Sequence, residues 1–260
     1  MQFHDQTQRI IDIAQSPQRI ISLVPSITEL LFDLGLDERI IGVTRFCIFP
    51  ERARKEKNVI GGTKKLKLDR IRHLQPDLII ANKEENTKAE IEMLTKEFPV
   101  WIANIRHFDD ALQMIQEVGQ VTQTSTLAQK IIHDIKDAFA KIVPPTQPLS
   151  VAYLIWQKPL MIAGSDTFIH EMVEKLGLQN AFSTQSRYPI INEADLQTTH
   201  PDYIFLSSEP YPFAEKHIQY FRKIAPNTKV ILVDGTYFSW YGSRMKKAPV
   251  YFQQLIKSLK

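Results

Sequence analysis

The sequence predicts an α/β protein built from two Rossmann-like lobes, which one long α-helix bridges and which enclose a ligand cleft. An apolar helical segment that ends in Gly-Leu occurs at residues 28–36 and again at 170–178. In each half a Pro-Asp pair then opens a buried strand, within 74–81 and within 199–206. Because both motifs recur in the same order, the chain repeats one plan. A cleft between two such lobes is a common place for a small ligand.

The first lobe is expected to begin with a small hairpin of Phe3-His4 and Arg9–Ile13 on either side of a polar turn. Short runs of Ile, Val and Leu then alternate with segments of helical period, which is the order of a parallel sheet covered by helices. The predicted elements are strand 20–24, a helix that opens near Ser26, strand 40–43, a Gly61-Gly62 turn, helix 68–74, strand 77–81, helix 87–97, strand 100–103 and helix 108–118.

One long helix is predicted between the lobes. Thr124-Ser-Thr126 supplies good N-cap residues, and Pro144-Pro145 stops the helix. Its apolar residues lie on one helical stripe: Leu127, Ala128, Ile131, Ile132, Ile135, Ala138, Phe139 and Ile142. The helix near 124–142 therefore has about nineteen residues and spans roughly 28 Å. The expected division is an N-terminal α/β lobe at 1–122, a bridging helix and linker at 123–146, and a C-terminal α/β lobe at 147–260.

The second lobe repeats the alternation of strands and helices. The predicted elements are strand 151–156, a short strand at 160–162, helix 167–176, strands 203–206 and 230–233, and a helix from Ser243 to the C-terminus. In α/β sheets ligands bind outside the carboxyl ends of the strands. The loops that follow the strands are therefore expected to line the cleft.

Those loops are rich in large aromatic side chains. The set comprises Phe46, Phe49, Trp156, Tyr211, Phe213, Tyr237, Phe238, Trp240 and Tyr241. Each ring taken singly is more typical of core packing. Clustered on loops at one end of the predicted strands, the set favours a binding site for a broad, flat, partly apolar ligand such as a corrin or a porphyrin.

Charge and composition exclude several classes of partner. The net charge is +3, from 32 basic and 29 acidic residues that are interspersed along the chain, which does not favour nucleic acid. No apolar run is long enough to predict insertion in a membrane. Cys47 is the single cysteine, so no intramolecular disulfide can form, and it is either a buried spectator or near the ligand. A monomer that binds a small molecule is expected.

The N-terminus lacks the basic and apolar regions of a secretory signal. As written, the chain is expected in the cytoplasm. If a signal was removed, the expected location is the periplasm or the cell surface.

Several motifs, in their order along the chain, resemble the helical-backbone substrate-binding proteins of bacterial ABC importers, which carry cobalamin, iron-siderophores or haem. They are residues 17–31, the Gly61-Gly-Thr-Lys64 turn, residues 74–80 and the long middle helix. Four second-lobe strings are similar to a branch described as cobalamin-binding: 156–159, 164–170, 207–213 and 238–244. The resemblance implies reversible binding of cobalamin or another corrinoid, as a ligand and not as a catalytic cofactor, for import through an ABC permease. Two alternatives are a haem or ferric-siderophore binding protein and a cytoplasmic corrinoid carrier or sensor without a transporter.

The resemblance also implies individual ligand contacts. Phe46 and Tyr188 match aromatic rings that contact the corrin in the family, and Trp240 falls where the last loop offers a large contact. Thr63 stands where a cobalamin-binding relative has tryptophan. Together with the loop aromatics Trp156, Tyr211, Phe213 and Tyr241, these residues form the expected ligand surface.

Two further residues have two interpretations each. Ser26 is either a plain N-cap or a residue whose free backbone N–H groups meet a ligand amide or phosphate. Arg244 either reaches a ligand phosphate or carboxylate or pairs with a nearby acid. For docking on a permease, the resemblance implies one exposed acid on each lobe: Asp69 fills the first position, and Glu193 lies beside the second, which Ala194 occupies.

An enzyme is the main rival from another class, because Ser165, Asp166, His170 and Glu171 could do acid–base or hydrolytic work. The sequence has no Gly-x-Ser-x-Gly elbow, phosphate-cradling glycine loop or paired-carboxylate motif. Its seven histidines show no metal-ligand spacing. A binding protein with neither catalysis nor a metal site is therefore the prediction.

Overall fold

The computed structural model describes residues 1–259, which divide into two compact units. Unit 1 comprises 1–105, 109–136 and 241–246; unit 2 comprises 106–108, 137–240 and the described residues from 247 onward. The boundaries expected from the sequence stay a prediction. The packing differs from them most at Tyr241–Lys246, a segment of the C-terminal half that packs within unit 1.

Unit 1 is a parallel sheet with helices, as predicted. Its elements are β1 (Gln2–His4), β2 (Ile10–Asp12), β3 (Ile20–Ser22), α1 (Pro25–Asp33), β4 (Ile40–Val43), α2 (Ala53–Glu56), β5 (Asn58–Val59), α3 (Leu68–Leu74), β6 (Leu78–Asn82), α4 (Lys88–Leu94), β7 (Val100–Ala103), α5 (Phe108–Val121) and α6 (Ser125–Phe139). Strands β1 and β2 form the expected antiparallel hairpin. The other five strands pair in the order β5-β4-β3-β6-β7, all parallel. Because β3 is central and buried on both faces, its sequence is almost wholly apolar.

Unit 2 contains a second sheet. Its elements are β8 (Ser150–Trp156), β9 (Met161–Ile162), α7 (Phe168–Lys175), β10 (Gln179–Asn180), α8 (Glu193–Thr199), β11 (Tyr203–Ser207), α9 (Glu215–Ile224), β12 (Lys229–Val233), α10 (Thr236–Ser239) and α11 (Ala248–Ser258). The parallel order is β10-β8-β11-β12, and β9 pairs antiparallel with β8. The two-sheet α/β class is therefore confirmed, while the cleft expected from the sequence stays a prediction.

The internal repeat is visible in the backbone. Helices α1 and α7 are both followed by a glycine in the left-handed region, Gly35 at φ +72° and Gly177 at φ +74°. Helices α3 and α8 end in the same way without glycine, at Gln75 (φ +45°) and His200 (φ +48°). The proline that follows each of them cannot continue the helix, so the chain turns directly into a buried strand.

The aspartate of each Pro-Asp pair joins its strand to the neighbouring one. The Asp77 carboxylate accepts hydrogen bonds from the backbone N–H groups of Gln18 at 2.7 Å and Arg19 at 2.8 Å. The Asp202 carboxylate accepts from the Ser150 N–H and hydroxyl, both at 2.7 Å. In both units, hydrogen bonds to an aspartate carboxylate thus hold the starts of two neighbouring strands together.

Helix α6 is shorter than predicted, with fifteen residues that end at Phe139. The N–H groups of Lys141 and Ile142 bond to carbonyls three residues back, which tightens the chain into turns before Pro144. Its start packs closely on α5, because a Cβ atom at Gly119 would lie 2.4 Å from the Ala128 Cβ. The structure confirms a long helix after residue 124, but the helix lacks the predicted last turn at 140–142.

The predicted C-terminal helix from Ser243 is wrong at its start. Residues Ser243–Lys246 form a 3-10 turn, and α11 begins only at Ala248, where Pro249 occupies the first turn. Helix α9 was not predicted, because its apolar residues Ile218, Phe221 and Ile224 alternate with charged and polar ones. Within the described residues, no helix is long and apolar enough to cross a membrane.

Candidate ligand-binding site

In unit 1, the loop after β4 presents aromatic rings at the surface. Phe46 is 47% exposed and Phe49 is 37% exposed. Between them Cys47 is fully buried, with its Sγ 3.1 Å from the Thr28 hydroxyl and 3.2 Å from the Thr44 hydroxyl. Burial raises the pKa of the Cys47 thiol, so it is a neutral anchor that holds the loop while the flanking rings stay accessible.

The side chain of Arg244 packs against one of these rings, that of Phe49. Its guanidinium Nε donates to Glu29 Oε2 at 2.8 Å and its Nη2 to Glu29 Oε1 at 3.2 Å, with both side chains almost completely buried. The guanidinium carbon also lies 3.9 Å from the centroid of the Phe49 ring. Of the two interpretations of Arg244, the structure shows the pair with an acid.

Tyr241 and Ser26 lie together in the interior of unit 1. The Tyr241 hydroxyl donates to Glu85 Oε1 at 3.1 Å, and burial, followed by the nearby Glu85 carboxylate, raises the pKa of the phenol well above its usual value. Ser26 lies in the first turn of α1, but the N-cap is Val24 and makes no side-chain capping bond. The N-cap interpretation of Ser26 is therefore wrong, because the helix begins at Pro25 and its N-cap, Val24, lies two residues before Ser26.

Thr63 is half-buried in the turn after β5, where its carbonyl accepts from Asn86 Nδ2 at 3.1 Å. The turn has little room for a side chain at the preceding position, Gly62. A Cβ atom at Gly62 would lie 3.1 Å from Phe46 Cε2 and 3.2 Å from Arg45 Nε. The Gly61-Gly62 backbone thus positions Phe46 and Arg45 together.

In unit 2, a chain of aromatic contacts begins at Trp156, which is 38% exposed at the end of β8. Its ring lies edge to face with Tyr211 at 5.5 Å between centroids, and Tyr211 is 4.7 Å from Phe213. Phe213 is buried in the core. Three of the predicted ligand residues are therefore in contact, and Trp156 is the one that offers most surface.

Hydrogen bonds hold Tyr211, the middle ring of these aromatic contacts. The Tyr211 hydroxyl donates to Gln157 Oε1 at 2.7 Å and lies 3.3 Å from His217 Nε2. His217 Nδ1 accepts the Ala214 N–H at 2.8 Å, so the ring proton resides on Nε2 and points at the Tyr211 oxygen. His217 thus caps α9 and orients Tyr211.

Trp240 and Tyr188 have different surroundings. Trp240 is 6% exposed, and its indole N–H donates to Glu209 Oε1 at 2.7 Å. Tyr188 is half-buried, and its ring lies 5.4 Å from the Arg187 guanidinium carbon. Trp240 is therefore anchored in the fold, which differs from the open loop contact that the resemblance implied.

The residues of the rival enzyme hypothesis are occupied by structural contacts. The Asp166 carboxylate lies 3.2 Å from the Arg106 guanidinium and 3.7 Å from that of Arg187. His170 Nδ1 is 3.2 Å from Asn180 Nδ2, and Glu171 pairs with Lys175 at 3.9 Å. Among residues 1–259, no group of three or more His, Cys, Asp or Glu side chains is arranged to hold a metal ion.

The family described as "Periplasmic binding protein" matches residues 20–223, which is most of the chain and includes β3 to β11. The chain belongs to this family. It is a family of substrate-binding proteins, and its two-unit α/β fold is the one described above.

Two relatives with known names resemble this binding protein in sequence. A vitamin B12-binding protein of Vibrio parahaemolyticus is 27% identical over 204 residues, which are 76% of this chain and 74% of the relative. YvrC of Bacillus subtilis, named an uncharacterized ABC transporter substrate-binding lipoprotein, is 24% identical over 211 residues, 77% of this chain and 67% of the relative.

A solved structure confirms the fold. The periplasmic haem-binding protein RhuT from Roseiflexus sp. RS-1, in its apo form, superposes with a TM-score of 0.79 and 21% identity. The match covers 92% of this chain and 99% of that chain. At this identity the likeness concerns the fold alone.

The two acids expected to dock this binding protein on a permease are both exposed. Asp69 lies in the first turn of α3 and pairs with Arg72 at 3.0 Å. Glu193 begins α8 and accepts a short hydrogen bond from the Tyr220 hydroxyl, which raises the pKa of that phenol. The neighbouring Asp195 is used by the capping box of α8 with Asn192.

Sequence reasoning missed the partners that hold the aromatic residues. Glu29 lies in the apolar run of α1, and a carboxylate on a buried helix face requires a buried cation. That signal predicts a partner such as Arg244, although not which one. No comparable sequence pattern marked Glu209 or His217, because the aromatic partner of each, Trp240 or Tyr211, lies on a loop.

Proposed function

We propose that this binding protein binds cobalamin or another corrinoid reversibly, without changing it chemically, for ABC-type import. The observation that carries the proposal is the likeness to the vitamin B12-binding protein of Vibrio parahaemolyticus, at 27% identity over three quarters of both chains. The haem-binding likeness, at 21% identity, supports only the fold.

The exposed rings support the ligand class. Phe46 lies on the loop after β4 and Trp156 is the last residue of β8, and both keep exposed ring surface at the carboxyl end of a strand, where ligands of α/β sheets bind. Covering about 60 Å² of apolar ring surface contributes about 1.5 kcal/mol at 25 cal/mol per Å². A large flat ring system bordered by amides matches such faces, because it can stack on them and still hydrogen-bond at its edge.

The remaining predicted residues take supporting roles in the proposal. Tyr188 and Tyr211 border the proposed surface in unit 2, and Thr63 does so in unit 1. Phe213, Trp240, Tyr241, Ser26 and Arg244 are buried, so their part in the proposal is to support the fold of each unit.

Delivery to a permease is the second part of the proposal. The relative YvrC is named as the substrate-binding lipoprotein of an ABC transporter. Asp69 and Glu193 are exposed acids, one in each unit, that can meet basic side chains of a membrane partner. An importer receives its substrate from outside the cytoplasm, so the proposal includes a periplasmic or cell-surface location for this protein.

The experiment is an absorption spectrum and a mass measurement on the purified protein after incubation with cobalamin, cobinamide, haem and a ferric siderophore, followed by desalting. The expected result is a corrin spectrum at one ligand per chain, with an unchanged ligand mass after denaturation. Retention of haem or siderophore alone, or a chemically altered corrinoid, would overturn the proposal.

A further inference from the structure

A cavity of about 370 Å³ lies in unit 1, and one of its lining residues, Arg45, directly precedes the exposed Phe46. Its lining residues are Arg45, Glu51, Arg54, Lys55 and Val59. Three cations and one acid therefore face the same space. None of these residues belongs to the ligand surface described above.

The acid neutralises only one of the three cations. Glu51 Oε1 accepts from Lys55 Nζ at 2.5 Å. Arg54 Nη1 donates to the backbone carbonyl of Arg45 at 3.2 Å, and the Arg45 guanidinium carbon lies 5.0 Å from the Phe46 ring centroid. Within the part of the chain that the structure describes, neither guanidinium has a carboxylate at ion-pair distance, so the cavity carries two uncompensated positive charges.

The backbone holds this arrangement in place. The Arg45 N–H donates to the Gly61 carbonyl at 2.8 Å. Gly61 has φ +114°, and a Cβ atom there would lie 2.5 Å from the Lys65 carbonyl oxygen. The turn therefore requires glycine at this position. Its hydrogen bond to the Arg45 N–H fixes the backbone at Arg45, and with it the position of the adjacent Phe46.

We propose that this cavity binds an oxyanion, a phosphate in particular, attached to the ring-type ligand whose flat part lies on Phe46. Guanidinium groups match phosphate oxygens with paired N–H donors and cannot lose their charge near neutral pH. The cavity is larger than a phosphate group, which leaves room for the rest of the ligand. This assignment rests on the proposed function, since it names the part of the corrinoid that unit 1 recognises beyond the ring.

Cobinamide provides the direct test, because it contains the corrin ring but lacks the phosphate-linked nucleotide of cobalamin. The variant Arg45→Gln/Arg54→Gln should bind cobalamin about tenfold more weakly and bind cobinamide within about twofold of the original protein, measured by calorimetry. The matched control is Lys67→Gln/Lys96→Gln, which removes two exposed charges of unit 1 outside the cavity. It should bind both ligands normally. An equal loss for both corrinoids, or an unchanged cobalamin affinity, would overturn the proposal.

A second arm separates this result from the proposed function. Inorganic phosphate is titrated against the original protein and both variants, and the ³¹P line width is followed. Broadening by the original protein and the control, but not by Arg45→Gln/Arg54→Gln, supports the cavity even if no corrinoid binds. Broadening that is absent, or the same in all three proteins, contradicts it whatever the corrinoid result.

Discussion

The two units share a frame but present their aromatic rings differently. Both turn out of a helix through a left-handed glycine, Gly35 or Gly177, and both tie a strand start with the aspartate of a Pro-Asp pair. In unit 1 the exposed Phe49 ring rests on a buried ion pair, whereas in unit 2 the exposed Trp156 ring is the end of an aromatic chain. The repeat therefore governs the scaffold, while each unit supports its loop by unrelated chemistry.

The largest difference should appear when the support of the unit 1 loop is broken. Arg244→Ala leaves the Glu29 carboxylate buried without its cation, so the free energy of unfolding should fall by about 3 to 5 kcal/mol in urea denaturation. Replacing both partners, as Glu29→Met/Arg244→Met, should cost clearly less because no charge is left buried.

The matched control for this effect is Arg72→Ala, which breaks the exposed contacts of that guanidinium with Glu97 and Asp69. Its unfolding midpoint should stay close to that of the original protein. A loss for Arg244→Ala as small as that of the control would show that the pair does not support unit 1.

Affinity for the ligand should depend on the exposed rings of Phe46 and Trp156. Phe46→Ala and Trp156→Ala should each weaken cobalamin binding about tenfold, which corresponds to 1.4 kcal/mol, with unchanged thermal unfolding. Tyr188→Ala should have a similar effect on affinity. Trp240→Ala should lower the melting temperature as well, because Trp240 is buried and bonded to Glu209.

Calorimetry and thermal melts on the same samples make this comparison. If Phe46→Ala and Trp156→Ala both bound normally while Trp240→Ala lost affinity without a change in stability, the proposed surface would be misplaced.

The shared aspartates should contribute equally to the two units. Asp77→Asn and Asp202→Asn should each cost about 1 kcal/mol or less at pH 7, since the carboxylates accept backbone hydrogen bonds near the surface. Hydrogen bonds from the Ser150 N–H and hydroxyl lower the pKa of Asp202 below its usual 3.8. Its contribution is therefore present above that pH and is lost as pH falls through the lower folded-state pKa.

Urea midpoints of Asp202→Asn and the original protein, followed from pH 7 down to pH 3, check this sign. The difference between them should shrink towards the acid end. A difference that grows with acidity would contradict the assignment.

An effect of similar size is expected at the aromatic contacts of unit 2. His217→Ala removes the acceptor for the Ala214 N–H and the support of Tyr211, at about 1 kcal/mol of stability. His217→Gln can still reach back to that N–H, as glutamine does in a capping box, and should recover most of the stability. Neither variant orients Tyr211, so both should bind cobalamin a few-fold more weakly. Restored affinity in His217→Gln would assign His217 to the cap alone.

Local patterns predicted the scaffold of both units, because the Gly-Leu ends, the Pro-Asp strand openings and the apolar strands depend on neighbours in sequence. The support of the site depends on distant residues. Arg244 and Glu29 are 215 positions apart, and nothing local distinguishes an arginine that binds a ligand from one that binds an acid. Likewise, the loop position of Trp240 did not reveal its burial, and no composition change marks Tyr241–Lys246 as a part of unit 1.

The most direct test of the central proposal, reversible corrinoid binding, is calorimetric titration of the protein with cobalamin and, separately, with haem at pH 7. We expect one cobalamin per chain with a dissociation constant in the micromolar range or tighter, which is a binding free energy of about 8 kcal/mol or more, and much weaker haem binding. No heat with cobalamin or cobinamide, together with tight binding of haem, would contradict it.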